Sequence, residues 1–195
     1  MTETPNPNLV DTDTLTGEMH PIRRCVLSIG SNVGERLNNL QGAVNALADT
    51  PEVWLTAVSP VYETAPVGAP DGSAAFLNAV VLLDTTLSAR TLLERALAIE
   101  DAYGRERTGE AGAPRTLDVD LVLVGDRRAE DPDLVLPHPR AHERAFVLAP
   151  WAAADPAAQL AGRGSVAALL AALPEVERAG VRRRDDLALV APVVP

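Results

Sequence analysis

The chain has 195 residues, 17 basic and 27 acidic side chains and a formal net charge of −10. That length suits one domain of ordinary size, and an apolar fraction of 47% excludes wholesale disorder. The acidic balance argues against nucleic acid or anionic membrane as partners, no apolar run reaches the ~18 residues of a membrane span, and the single cysteine, Cys25, excludes an internal disulfide framework.

All 17 basic residues are arginine. A Walker A lysine and a Schiff-base lysine are therefore excluded, and an anionic ligand must be held by Arg, His, backbone N–H groups or a metal. The first twenty residues carry no Arg or Lys and no apolar core, so a secretory signal is not expected, and a reducing cytoplasm is the expected location.

In chain order, residues 1–21 are polar, hold three prolines and show no periodicity. They read as a disordered tail before a single domain over 22–195. Arg24–Ile29 reads as a strand ended by Gly30-Ser31-Asn32, which is either a phosphate loop or a plain strand-to-helix turn. Apolar residues at Leu37, Leu40, Val44 and Leu47 predict a helix over 33–47. Glu52–Tyr62 is β-rich, the turn residues Pro66, Gly68, Pro70 and Gly72 mark a loop, and Phe76–Asp84 reads as a buried strand. Ser88 is the expected N-cap of a helix over Ala89–Tyr103 that Gly104 closes. An Arg- and Gly-rich loop follows to Pro114, then a strand over Leu117–Val124, helices over about 141–154 and 165–173, and a short strand near Leu187–Val190. The order β-α-β-β-α-β followed by helices predicts the α+β class. Its expected form is a ferredoxin-like antiparallel sheet with two helices on one face and extra C-terminal helices.

The chemistry concentrates in Pro114-Arg115-Thr116-Leu117-Asp118-Val119-Asp120-Leu121-Val122. Strand alternation puts Leu117, Val119, Leu121 and Leu123 on a helix-packed face. Asp118 and Asp120 share the other, with Cα atoms ~6.6–7 Å apart. Two such carboxylates repel unless a cation lies between them, and Mg²⁺ suits because it takes one or two carboxylates and fills its shell with water and phosphate oxygens. A solvated sheet face bearing two aspartates accounts for the D-x-D spacing equally well. Arg115, Arg105 and Arg107 nearby shift the balance toward a metal–polyphosphate site. His138, between Pro137 and Pro139, is either a turn residue or, with Arg144, a second pair facing the same anion. Phe76 and Phe146 are core residues or the two faces of a slot for a flat heterocycle.

Six segments in register over roughly residues 23–175 resemble the 6-hydroxymethyl-7,8-dihydropterin pyrophosphokinase family of folate biosynthesis. They are Ile29-Gly30-Ser31-Asn32, Tyr62-Glu63-Thr64-Ala65-Pro66, Phe76-Leu77-Asn78-Ala79, Gly104-Arg105, Pro114 to Asp120, and Pro137-His138 with Arg144-Ala145-Phe146. The resemblance implies transfer of the β,γ-diphosphate of ATP to the hydroxymethyl group of the pterin, with release of AMP. It implies that Asp118 and Asp120 bind two Mg²⁺ ions with ATP. Arg105, Arg115, His138 and Arg144 would meet the polyphosphate, and Glu100 would lie near the nucleotide. Thr64, Pro66 and Asn78 would meet the pterin edge, and Phe76 and Phe146 its faces. Arg105, Arg115 and Asp120 would be the catalytic residues, with Asp120 or an oxygen on the metal taking the hydroxyl proton. The chain departs from the family pattern at Ala111-Gly112-Ala113, where a basic and an aromatic residue are usual, and at Leu97, where an amide often helps hold adenine. A monomer without nucleic-acid or membrane partners is expected.

Two other classes fit parts of the pattern. A palm-type nucleotidyltransferase or cyclase also uses a D-x-D-like strand, but it needs a further carboxylate on a neighbouring strand. A non-catalytic RNA-binding module of the same fold wants basic character and exposed aromatics. This chain is acidic and only 3% aromatic.

Overall fold

The computed structural model describes residues 21–65, 74–105 and 114–192. Residues 1–20 of the expected tail over 1–21, the loop prolines and glycines from Pro66 to Gly72, Arg107 and Ala111-Gly112-Ala113 lie outside the described residues.

The described chain forms β1 (Arg23–Ser31), α1 (Arg36–Ala48), β2 (Val53–Val58), β3 (Tyr62–Thr64), β4 (Phe76–Thr85), α2 (Ala89–Ala102) and β5 (Asp118–Val124). A hairpin follows, β6 (Ala129–Asp131) and β7 (Leu134–Leu136). Then come a 3₁₀ turn (Ala141–Glu143), α3 (Ala145–Ala154), a two-residue ribbon of β8 (Gln159–Leu160) and β9 (Gly164–Ser165), α4 (Val166–Ala172), α5 (Glu175–Ala179) and β10 (Val181–Arg183). The class is α+β. The sheet is antiparallel, ordered β10-β3-β4-β1-β5, with β2 also paired to β4. No helix among the described residues is long and apolar enough to cross a membrane.

Both sheet faces are covered. Leu27, Ile29, Val81 and Leu83 face α1 and α2, which contribute Leu40, Val44, Leu92 and Ala96. Val26, Val80, Leu82 and Val122 face α3 and α4, which contribute Leu148, Trp151 and Val166. Each fully buried Leu or Val stabilises the fold by ~1.5–3 kcal/mol relative to exposure, so the first layer, which buries more apolar residues, carries the greater weight. The helix expected to start at Ala89 is capped as its sequence indicates, with the Thr91 N–H donating to Ser88 Oγ at 3.0 Å.

Several expected boundaries differ, each for a physical reason. β1 runs on through Gly30 and Ser31, because both pair with β4. α1 starts at Arg36 rather than residue 33, since Gly34 sits at φ +68, outside helical space. The β-rich stretch 52–62 is two strands. Ser59 leaves the ladder to exchange hydrogen bonds with Val80, its N–H donating to the Val80 carbonyl at 2.9 Å and its Oγ accepting the Val80 N–H at 2.8 Å. Pro60 then cannot donate. Leu123 does not share a face with Leu117, Val119 and Leu121. The register against β1 slips between Val26 and Leu27, where Leu123 and Leu121 face consecutive residues, and this bulge reverses the alternation. The stretch 141–154 is a 3₁₀ turn and a separate helix, broken at Arg144, whose backbone is extended. Leu187–Val190 is not a strand. Its apolar side chains Leu187 and Leu189 pack on the first core, and the terminal strand is β10 instead.

Candidate active site

The second sheet face, beyond the cover of α3, carries one row of residues across four strands. On β1, Gly30 pairs with Asn78 of β4 on one side and with Asp118 of β5 on the other. Phe76 of β4 pairs with Thr64 of β3, and Ser28 of β1 with Asp120 of β5. Cross-strand partners project to the same face, so Thr64, Phe76, Asn78, Asp118 and Asp120 point the same way. Asn78 and Asp118, two strands apart, are separated by about 10 Å. A Cβ on Gly30 would lie 2.9 Å from Asn78 Oδ1, so only glycine leaves the Asn78 amide where it is. Asn78 is buried and donates from Nδ2 to Thr64 Oγ1 at 2.7 Å.

The carboxylate end is crowded with charge. Asp118 meets Arg115 through Oδ2 at 2.6 Å and Arg105 through Oδ1 at 2.6 Å. The Arg105 contact lacks hydrogen-bond alignment, which leaves Oδ1 buried without an aligned donor. Arg105 also pairs with Glu100, which is 1% exposed and accepts the Val119 N–H at 2.8 Å. Glu100 thus ties α2 to β5 and holds Arg105 beside Asp118. Arg144, from the turn before α3, reaches Asp120 at 3.4 Å. Burial, then the charge of Asp118, pushes the Asp120 carboxyl up from 3.8 to about 6. Burial, then the Arg144 charge, lowers His138 to about 4, so its imidazole is neutral at pH 7. The His138 backbone N–H donates to the Val122 carbonyl at 2.9 Å, which sets the residue on the same cavity as Asp120.

Against this end opens a cavity of about 350 Å³ between α2, β5 and the β6–β7 hairpin. Leu93, Leu97, Leu121 and Leu134 make its apolar wall, while Arg105, Asp120 and His138 stand at its polar end. A flat, apolar-faced group with an anionic tail fits such a shape. Phe146 lies in the first turn of α3, half-buried against the second core, with the Arg144 guanidinium 5.5 Å from its ring centroid. That placement packs the ring on the second core and beside the guanidinium that reaches Asp120.

The structure therefore gathers Thr64, Phe76, Asn78, Glu100, Arg105, Arg115, Asp118, Asp120, His138, Arg144 and Phe146 at one end of the sheet, while Pro66 lies outside the described residues. Gly30-Ser31-Asn32 is not a phosphate loop. Asn32, 6% exposed, accepts the Arg115 N–H on Oδ1 at 2.7 Å and donates to the Ala74 carbonyl at 3.4 Å. Asn39 donates from Nδ2 to Ser31 Oγ and to the Thr116 carbonyl. These two asparagines hold the backbone beside Arg115, a role that spacing within the sequence does not signal because their contacts to Arg115 and Thr116 span 83 and 77 residues.

Among the described residues, no three of His, Cys, Asp and Glu cluster as a metal set. Two neighbouring carboxylates, one with a buried unaligned oxygen and one with a raised pKa, still suit a hard cation whose remaining ligands come from a phosphate substrate and water.

The description "7,8-dihydro-6-hydroxymethylpterin-pyrophosphokinase (HPPK)" belongs to a family model that matches residues 26–156. A Mycobacterium tuberculosis protein named 2-amino-4-hydroxy-6-hydroxymethyldihydropteridine pyrophosphokinase is 44% identical over 172 residues, covering 82% of this chain and 88% of that relative. A Pseudomonas aeruginosa protein of the same name is 40% identical over 153 residues, covering 78% and 93%. The fold is shared with a Plasmodium falciparum HPPK-DHPS triple mutant solved with pteroate, at TM-score 0.64 and 12% identity over 86% of this chain. This chain spans about half of that longer protein, 47% of its length.

Proposed function

This chain belongs to the 7,8-dihydro-6-hydroxymethylpterin-pyrophosphokinase family, and from that premise we infer that it transfers diphosphate from ATP to 6-hydroxymethyl-7,8-dihydropterin in folate biosynthesis. The observation that carries the reading at the site is the row Asn78–Gly30–Asp118, which sets an amide for a polar heterocycle edge about two strand spacings from a carboxylate–arginine cluster. The strand order β5-β1-β4 with β2 and β3 along the far side of β4 supports the finer ferredoxin-like description.

The pterin sits with its edge on Asn78 and Thr64 and its faces toward Phe76 and Phe146. Its hydroxymethyl oxygen then points along the row to Asp118 and Asp120. The adenine occupies the leucine-walled cavity, and the triphosphate crosses its polar end. As the new O–P bond forms at the β-phosphorus, the hydroxyl proton passes to the Asp120 carboxylate, the bond from that phosphorus to the α,β-bridging oxygen breaks and AMP leaves. Arg105, Arg115 and Arg144 exchange part of their carboxylate contacts for phosphate oxygens, and neutral His138 donates a hydrogen bond without adding charge. Asp118 and Asp120 would hold Mg²⁺, which when bound supplies charge neutralisation along the polyphosphate. Most of the work asked of this chain is therefore positioning and electrostatics. We take the enzyme to be cytoplasmic, as its single cysteine leads one to expect, and monomeric.

The test is AMP formation from ATP with Mg²⁺, with and without the reduced pterin. The reading requires AMP only when the pterin is present. Pyrophosphate release from nucleoside triphosphates would favour a nucleotidyltransferase instead.

A further inference from the structure

The terminal stretch 181–190 lies beyond the matched residues 26–156 and is laced onto the Thr64 side of the sheet. β10 pairs with β3 so that Val181 faces Thr64, Arg182 faces Glu63 and Arg183 faces Tyr62. The Arg184 N–H then donates to the Val61 carbonyl at 2.9 Å. Farther on, Gln41 of α1 clamps Val190 through two hydrogen bonds, at 2.8 and 2.9 Å.

The strap meets the sheet at Glu63. Its Oε2 accepts from Arg182 at 2.8 Å and Arg184 at 2.9 Å, and its Oε1 from Arg36 at 3.1 Å. Arg36 also donates to the Ala75 carbonyl at 2.6 Å. One carboxylate thus ties the residue before Thr64 to the residue before Phe76, and both to the terminal strap. β3 needs such support. It has three residues, is cut off from β2 at Ser59-Pro60, and a strand so short is marginal alone. Thr64 in turn is the acceptor that orients the Asn78 amide.

We propose that Glu63 is a positioning residue for pterin recognition, through which the C-terminal strap sets the place of Thr64 and the orientation of the Asn78 amide. The inference rests on the reading of Thr64 and Asn78 as pterin contacts. Loss of the hub lets β3 shift and the amide turn, which weakens the pterin and leaves the nucleotide end, on β5 and α2, untouched.

The experiment is steady-state AMP formation, with pterin and Mg-ATP varied in turn, beside thermal melts. It compares the wild-type chain, Glu63→Gln, and the Arg182→Ala/Arg184→Ala double variant. Both variants should raise the pterin KM roughly tenfold, the loss of one to two well-placed hydrogen bonds, while the Mg-ATP KM stays within about twofold. Arg182 is exposed, so a further variant, Arg182→Ala alone, folds even if Glu63→Gln does not, and its pterin KM must rise in the same selective way, by less than in the double variant because Arg184 remains. An unchanged pterin KM alongside a lowered melting temperature would overturn the proposal and leave the hub a stabiliser only. A wild-type chain that makes no pterin-dependent AMP would instead overturn the function on which it rests, and the two failures are distinct.

Discussion

At the scale of single residues, the site is a contest between like charges and the arginines that offset them. Burial, and after it the charge of Asp118, makes Asp120 costly to ionise and pushes its pKa up from 3.8 to about 6. The sign follows. A carboxyl whose folded pKa lies above its unfolded 3.8 destabilises the fold increasingly as pH rises from about 4 to 6, and fully above that. Asp120→Asn should therefore raise the melting temperature of the metal-free protein at pH 8 and lose that advantage at pH 4, while turnover with Mg²⁺ disappears. Asp118→Asn should abolish turnover too, but it also strands Arg105 and Arg115, so no gain in stability is expected. Near-normal activity in both variants would remove the metal assignment. Arg115 already grips one carboxylate and is freed toward phosphate when charge develops there. Arg115→Ala should lower kcat more than it raises the ATP KM, and lysine should rescue poorly because it cannot make a two-pronged contact. Phe146→Ala should weaken the pterin by roughly tenfold through lost stacking and area. Because the ring also packs on the second core, a melt of the same variant separates lost contact from lost folding.

Among the elements, β1 is the axis of the site, and what could be read from sequence stops at its partners. The D-x-D on β5 was legible because alternation is a local property. The face assignment of Leu123 was not, because a bulge depends on the strand across from it. Ser59-Pro60 likewise looked like part of one strand until Ser59 paired with Val80. Gly30 looked like a turn glycine, yet it is a strand residue whose missing Cβ makes room for Asn78. Gly30→Ala should cost little stability, since the atom it meets is a side-chain end, but it must displace the amide. Its pterin KM should rise with the Mg-ATP KM unmoved, as steady-state kinetics would show. An unaltered pterin KM would mean that Asn78 does not contact that substrate.

For the whole molecule, the sheet and its two helix layers form a three-layer sandwich, and among the described residues α3 and α4 stop short of one end of one sheet face, where the site lies. The two-helix face was legible from 3.6-residue periodicity at Leu40, Val44, Leu92 and Ala96. The opposite layer was legible only as helices of unknown place, because α3 is apolar nearly all round and its sequence does not say which side is covered. Trp151 anchors that layer, and Trp151→Ala should cost ~3–5 kcal/mol of stability, read from chemical denaturation, without a selective change in either KM. The cavity escaped the sequence altogether, because its outer wall is the β6–β7 hairpin, where the sequence reading placed no element. The proposed reaction is attack of the pterin hydroxyl at the β-phosphorus rather than the γ. The direct measurement is the fate of label from ATP carrying ³²P at the β position, with the reduced pterin and Mg²⁺. The label should move to the pterin as a diphosphate, with unlabelled AMP as the other product; label left behind in ADP would contradict the account.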